Sequence, residues 1–217
     1  MQAIDTSYSG SVWATEKIAI ISTNKAKSLS DEATLQIKGI VTAVFSDCCY
    51  VESEDRSSGI RVEASASLGV GDKVYVSGTM ATSSDGERYI STAAVTPLGS
   101  GSISPVSLTN RNLGGADFNF SAGAGQRGVS GGFGLNNIGM LVRTTGKVML
   151  VEDGYFYIND GSNVQDSVSR VVKVTCGSGI LMPEQDHYVS VTGISSILKT
   201  DSRYYHNLRA IDIKQIQ

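Results

Sequence analysis

Two tyrosines and a lysine in the second half of the chain show the pattern with the clearest chemical use. Tyr155 and Tyr157 alternate with Phe156 and Ile158 in a strand-like segment, and Lys173 lies in the next such segment. Side chains two residues apart on a strand share a face, so if Ile158 points inward, the tyrosines and Lys173 point outward. Aromatic rings beside a cation can stack bases or sugars. These three residues are candidates for a ligand face, and the alternative is that they are ordinary strand formers.

The matching residues of the first half are less favourable for a charged ligand. Tyr50 and Arg61 should also point outward, but Glu52 and Glu63 flank them and would repel a phosphate backbone. The net charge of the chain is −3, whereas nucleic-acid binders normally carry a basic excess. Nucleic acid is therefore not expected as a partner.

Metal sites and cofactors are not expected. Asp160, Asn163 and Asp166 carry hard oxygen ligands and are weak calcium candidates, but the spacing of an EF-hand is absent. Aspartate, glycine and asparagine in such a run also simply form turns. The two histidines, His187 and His206, show no ligand spacing.

No enzyme activity is expected either. The segment from Gly123 to Gly128 fits G-x-G-x-x-G, but further glycines follow where a dinucleotide site needs a helix. The sequence also lacks a nucleophile motif near either histidine.

Three cysteines cannot all pair within one molecule. Strand alternation predicts that Cys49 is buried and that Cys48 faces outward, so Cys48 is a candidate contact or disulfide between chains. The alternative is that Cys48, Cys49 and Cys176 are small buried apolar residues.

The elements that carry these residues are short, alternating, β-branched segments, and they occur in two similar sets. The segment from Gly146 repeats that from Gly39 at an offset of 107 residues, and Val189 to Gly193 repeats Val74 to Gly78 at an offset of 115. Five short strands with turn signals predict a small closed barrel. The sequence therefore predicts an all-β protein of two tandem five-stranded OB-type Greek-key barrels.

The predicted boundaries leave two stretches outside the barrels. Residues 35–100 form barrel one and residues 140–217 form barrel two, with an N-terminal extension at 1–34 and a connector at 101–139. The connector is rich in glycine, but it also carries aromatic residues, so it should pack on the barrels. The extension contains the apolar residues Ile18, Ile20 and Ile21, which have no place in either five-stranded repeat.

The chain resembles tandem OB-fold modules of large bacterial secreted and cell-surface proteins. The resemblance covers roughly residues 25 to 217 and rests on four segments, which are residues 54–62, 108–115, 125–129 and 134–139. It implies the fold and an extracellular or cell-surface location with the signal peptide removed. It implies no activity, so no functional residues are carried over.

Taken together, these features predict a non-enzymatic extracellular structural protein whose partners are proteins, first of all copies of itself. Ile18, Ile20 and Ile21 would add to the sheet edge of a neighbouring copy and build a cell-surface or filamentous assembly. The alternative is that this segment covers its own first barrel, which costs less entropy. No membrane span is expected, because the sequence has no run of about 18 apolar residues. The alternative is a module that binds single-stranded nucleic acid or glycan on the face of strands two and three of barrel two.

Overall fold

The protein is almost entirely β-structure. A computed structural model describes residues 18–64, 67–164 and 171–216. They form two closed five-stranded barrels in tandem, which confirms the predicted fold class. The fold follows from the alternation of the sequence, because each strand of a small barrel must present one apolar face to the interior and one face outward.

Barrel one is built from five long or medium strands, preceded by a short strand and a short helix. The strands are β1 (Ile20–Ile21), β2 (Thr34–Val44), β3 (Cys49–Glu52), β4 (Gly59–Ala64), β5 (Asp72–Thr82) and β6 (Arg88–Ser100), and helix α1 is Thr23–Lys27. The sheet runs β2-β3-β4-β6-β5 and closes where β5 pairs with β2. Strand β4 pairs with β6 in parallel and the other closing pairs are antiparallel. This is the strand order of an OB fold.

The segment after barrel one contains short elements rather than a flexible linker. They are β7 (Val106–Ser107), a single 3-10 turn at Asn110–Asn112, β8 (Phe118–Ser121) and β9 (Ala124–Gln126). Strands β8 and β9 form a small hairpin. Val129 and Ile138 pack with Ile197 of barrel two. The connector therefore lies on the barrels, as its aromatic and apolar residues indicate.

Barrel two repeats the architecture of barrel one. Its strands are β10 (Leu141–Glu152), β11 (Tyr155–Asn159), β12 (Val172–Cys176), β13 (Tyr188–Thr200) and β14 (Arg203–Ile216). They run β10-β11-β12-β14-β13, and β13 closes on β10. Each barrel has its own core of aliphatic side chains, and Phe156 adds an aromatic ring to the second.

The repeat is accurate to single residues in the first strands of each barrel. A β-bulge interrupts the pairing between Val41 and Ala43 in barrel one and between Val148 and Leu150 in barrel two. These positions are 107 residues apart, the offset seen in the sequence. Tyr50 and Tyr157 consequently occupy the same place, opposite Ala43 and Leu150 respectively.

The last strands depart from the offset that the sequence indicates. Arg61 lies beside Tyr89 in barrel one, whereas Lys173, its equivalent, lies beside Asn207 in barrel two. An offset of 115 residues would match Tyr89 with Tyr204. The strand pairing instead matches Tyr89 with Asn207, so the offset near the start of β14 is 118. The reason is that the β13–β14 hairpin is longer at its tip than the β5–β6 hairpin.

The N-terminal isoleucines pair within their own barrel, whereas the sequence predicts that they join a neighbouring copy. Ile20 and Ile21 pair in parallel with Gln36 and Ile37 of their own barrel. Strand β3 pairs with β2 from Ile40 onward, which leaves an edge of the first half of β2 open. Strand β1 fills that edge, and Ile21 packs against the core of barrel one. Ile18 and Ile20 are exposed.

The same short parallel strand occurs in barrel two. Val106 and Ser107 of β7 pair with Val142 and Arg143 at the start of β10. A helical turn follows each of these short strands, α1 in one case and Asn110–Asn112 in the other. The duplicated unit therefore includes a sixth strand. The sequence repeat does not reveal it, because the sequences of β1 and β7 are not similar.

Candidate nucleic-acid interface

The outward face of barrel two carries two rows of side chains across neighbouring strands. Tyr157 of β11 lies beside Lys173 of β12, which lies beside Asn207 of β14. In the second row, Tyr155 lies beside Thr175, which lies beside Arg209. Alternation positions them, because Phe156, Ile158, Val172 and Val174 are buried in the core between them.

The two tyrosines and the lysine are in contact, as their spacing indicates. The rings of Tyr155 and Tyr157 meet edge to face with centroids 5.7 Å apart. The ammonium group of Lys173 lies 3.8 Å from the centroid of the Tyr155 ring, within the range of a cation–π interaction. We call Tyr155, Tyr157 and Lys173 the tyrosine face.

A groove of about 610 Å³ opens beside the tyrosine face, and we call it the first groove. Its walls are the strands of the face on one side and the outer part of the β13–β14 hairpin on the other. Its lining is mostly apolar and comprises Met149, Leu150, Tyr157, Val171, Lys173, Leu198, Thr200, Tyr205 and His206. Met149 and Leu150 are each exposed by more than two fifths, 43% and 42%. Pockets that hold small ligands have this size and this apolar lining.

The connector fixes the hairpin wall of the first groove. The N–H of Ser130 donates to the carbonyl of Tyr204 at 2.8 Å, and the N–H of Tyr204 donates to the Ser130 hydroxyl at 2.9 Å. The guanidinium carbon of Arg127 in the connector also lies 5.6 Å from the centroid of the Tyr204 ring. This wall is therefore held by bonds outside its own hairpin.

Tyr157 remains a neutral hydroxyl at physiological pH. Burial raises its pKa above the ordinary value, and the neighbouring Tyr155 and Glu152 raise the pKa further. The Tyr157 hydroxyl can therefore donate a hydrogen bond to a ligand in the first groove.

The equivalent face of barrel one is covered, which corrects the expectation that Tyr50 and Arg61 contact a ligand. Tyr50 is fully buried and donates to the Glu87 carboxylate at 3.0 Å. Arg61 is bound by Asp47 at 3.3 Å and by Glu63 at 2.9 Å. Strand alternation places Tyr50 outside its own barrel, but barrel two packs on that side.

The contact between the barrels, which we call the seam, is partly apolar. Ala43, Cys48 and Tyr50 of barrel one pack with Leu141 and Ile194 of barrel two. Glu52 is also buried there, and its Oε2 accepts a hydrogen bond from the N–H of Leu141 at 2.8 Å. Glu52 therefore holds the two barrels together and does not face a ligand.

Cys48 lies in the seam and not on the outer surface, so it is not placed for a contact with another chain. Its sulfur accepts a hydrogen bond from Arg209 at 3.2 Å. Burial raises the pKa of Cys48 to about 11 and that of Cys49 to about 12. Both thiols are buried, whereas Cys176 is half-buried.

The three calcium candidates do not form a cation site in the described residues. Asp160 is engaged with backbone, since its carboxylate accepts from the N–H groups of Asn110 at 2.8 Å and Ser162 at 2.9 Å. Asn163 adopts a left-handed turn with φ of 62°. Asp166 lies outside the described residues. Within residues 18–64, 67–164 and 171–216, no group of three or more His, Cys, Asp or Glu side chains is arranged to bind a metal.

The described part of the chain contains no helix that is long and apolar enough to span a bilayer.

Comparisons with known proteins identify structures of similar fold only. No family model and no curated protein matches the chain. A murine DNA-binding protein bound to double-stranded DNA is 9% identical, with 87% of this chain and 96% of that chain covered and a TM-score of 0.37. The Ifi202 HINa domain in complex with a 20-bp double-stranded DNA is 14% identical, with 86% and 97% covered and a TM-score of 0.38. The p202 HIN1 domain in complex with a 12-mer double-stranded DNA is 13% identical, with 87% and 94% covered and a TM-score of 0.38.

These findings correct two expectations from the sequence. The sequence predicts a structural protein that assembles through Ile18, Ile20 and Ile21, and it does not lead us to expect nucleic acid as a partner. The three solved structures named above are complexes with DNA. Within this chain, the isoleucine segment pairs with its own barrel. Both expectations are wrong. The segment that was to join a neighbouring copy is paired with β2 of its own barrel, and net charge describes the whole chain and not the one surface that a ligand meets.

Proposed function

We propose that the protein is a non-enzymatic nucleic-acid-binding module that holds single-stranded nucleic acid on the tyrosine face and in the first groove. The observation that carries this proposal is the contrast between the barrels. The same outward face is sealed by the seam at Tyr50 and left open at Tyr157. In OB folds the face of strands two and three is a common site for oligonucleotides.

Stacking is the interaction that this face supplies best. Tyr155 and Tyr157 offer ring surface, and Met149 and Leu150 extend it with exposed apolar area. Stacking of one base on an aromatic side chain contributes about 1–3 kcal/mol and tolerates any base. The first groove has the volume for one or two nucleotides, since it measures about 610 Å³ and ligand pockets start at roughly 300 Å³.

The charge of the face favours a single strand over a duplex. Among the residues that the structure describes, Lys173 is the one lysine or arginine that lines the first groove. Binding to duplex DNA depends chiefly on the neutralisation of many phosphates, and the bases of a duplex are stacked on each other. A single strand instead has free base faces for Tyr155 and Tyr157.

Fluorescence anisotropy with a labelled oligothymidylate tests the proposal on the full chain. We expect binding of the single strand, and we expect Tyr157→Ala to weaken it by about tenfold through the loss of one stacking contact. Tyr188→Ala is the matched control, because Tyr188 is an exposed tyrosine of barrel two that does not line the groove. This control should bind like the unmodified protein.

Three results would overturn the proposal. They are no binding of any nucleic acid, tighter binding of a duplex than of a single strand of the same length, and binding of an oligosaccharide in place of nucleic acid. Equal losses for Tyr157→Ala and Tyr188→Ala would also place the ligand elsewhere.

A further inference from the structure

A second groove, of about 440 Å³, lies on the same outward face where barrel two meets barrel one. Its lining comes from both barrels and comprises residues 44–46, 175–178, 180 and 209–211. We call it the second groove. It is separate from the first groove in its lining residues, and none of the interactions proposed above uses it.

The two grooves are successive positions along the same strands. Lys173 lines the first groove and Thr175 lines the second, and both point outward from β12. Two residues of a strand span about 6.6 Å. Between the grooves, the side-chain amide of Asn207 donates to the Thr175 hydroxyl at 3.4 Å. Lys173 and Thr175, successive outward residues of β12, therefore connect the two grooves, while Asn207 itself is buried.

The second groove offers a stacked cation, as the first groove does. The guanidinium carbon of Arg209 lies 4.1 Å from the centroid of the Phe45 ring. Arg209 is fixed by the Asp47 carboxylate at 2.7 Å and by the Tyr50 hydroxyl at 3.4 Å. A planar cation held against an aromatic ring is a surface on which a base or a phosphate can be bound.

We propose that a single-stranded nucleic acid occupies both grooves at once, running along β12 from the tyrosine face to the Arg209–Phe45 pair in the seam. This inference rests on the proposed function. It adds that the ligand is an oligomer and that the two barrels build the site together. A mononucleotide or dinucleotide fills one groove, and a longer strand gains the contacts of the second.

Ile211 provides a test that leaves the first groove intact. It lines the second groove and is exposed by 38%, so Ile211→Glu places a negative charge in the path of the strand without removing a core residue. We expect this variant to bind a strand of about eight nucleotides about tenfold more weakly. Its affinity for a dinucleotide should stay as in the unmodified protein. Ile216→Glu is the matched control, on the same strand and exposed by 42%, and should change neither affinity.

Cys176 supplies a second measurement that needs no substitution. It lines the second groove and is half-buried, whereas Cys48 and Cys49 are buried. We expect the longer strand at saturation to slow the modification of Cys176 by N-ethylmaleimide, followed by mass spectrometry, and a saturating dinucleotide to leave the rate unchanged.

The outcomes separate this inference from the function on which it rests. If Ile211→Glu binds the longer strand as the unmodified protein does, the strand does not enter the second groove and the inference is wrong, while the tyrosine face stands. If the unmodified protein binds neither ligand, the proposed function itself fails. If Ile211→Glu weakens dinucleotide and longer strand equally, the two grooves are not separate positions and the inference is also overturned.

Discussion

The backbone of Gly59 lies directly against that of Gly139, with no side chain between them. A Cβ atom on either residue would overlap the carbonyl group of the other. Gly139 has a φ of 86°, which favours glycine, and its N–H donates to the carbonyl of Ser195 at 2.7 Å. Barrel one, the end of the connector and barrel two therefore meet at one point of backbone contact.

Gly59→Ala should destabilise the protein. The added methyl group meets backbone and not a flexible side chain, so the seam must open, and overpacking of this kind costs about 1–3 kcal/mol. Urea denaturation measures the loss. Gly177→Ala is the control, because a Cβ at Gly177 has open space around it and should leave the midpoint unchanged. An unchanged midpoint for Gly59→Ala would show that the barrels are not in contact there.

Glu52 should make the protein less stable as pH rises through the mildly acidic range. Burial raises the pKa of Glu52 from 4.5 to about 7, against the opposing effects of the Leu141 N–H, Arg56 and Lys27. Between these pH values the folded protein keeps a proton that the unfolded chain releases, so stability falls as pH rises from about 4.5 to about 7. Glu52→Gln should remove this pH-dependent loss in the free energy of unfolding, which is on the order of 3 kcal/mol.

The measurement for Glu52 is the free energy of unfolding of both proteins at several pH values from 4 to 8. The free energy of unfolding of Glu52→Gln should increase relative to that of the unmodified protein as pH increases. A difference between the two that stays constant with pH would show that Glu52 is not buried in the seam.

Lys27 should have the opposite pH dependence in the alkaline range. Burial lowers the pKa of Lys27 from 10.5 to about 8, while the carboxylates of Glu87 and Glu52 oppose the shift. Its ammonium group donates to the carbonyl of Ile138 at 2.5 Å. Above pH 8 the unfolded chain binds the proton that the folded protein has lost, so stability rises up to about pH 10.5. Lys27→Met should abolish this rise in urea titrations, and a rise of equal size in the variant would assign it to other groups.

Salt should weaken nucleic-acid binding only slightly. Of the lysines and arginines in the described part of the chain, Lys173 lines the first groove and Arg209 the second. Each phosphate contact to a single strand contributes about −0.7 to the slope of log K against log salt. We expect a slope no steeper than about −1.4 for a strand of about eight nucleotides, and a reduction by about 0.7 in Lys173→Ala. Anisotropy titrations over a range of sodium chloride concentrations measure it. A much steeper slope would mean that the strand lies on a different, more basic surface.

The sequence predicts the barrels well because the information is local. Alternation fixes which side of each strand faces its own core, and the repeat at an offset of 107 places the first strands of the two barrels in the same register, as their equivalent bulges after Val41 and Val148 show. The positions of Tyr155, Tyr157 and Lys173 on one outward face follow from the same rule.

What lies outside each barrel could not be predicted in the same way. Alternation says that Tyr50 leaves its own core, but it does not say that Ile194 and Arg209 of barrel two cover it. The place of Ile20 and Ile21 on β2 depends on where β3 starts to pair, and the role of Arg209 depends on contact between residues more than 150 positions apart. That the protein is extracellular and that it has no catalytic activity remain predictions.

The covered face of barrel one also sets the number of ligands that one chain can hold. A duplicated barrel begins with two equivalent surfaces, and burial of Tyr50 leaves one of the pair available. Under the proposed function the chain would be monovalent for this kind of binding, so it would not bridge two strands and would gain no avidity from its internal repeat. On a long nucleic acid, many protein molecules would bind side by side, each to its own segment. A single protein molecule would not cross-link two distant segments.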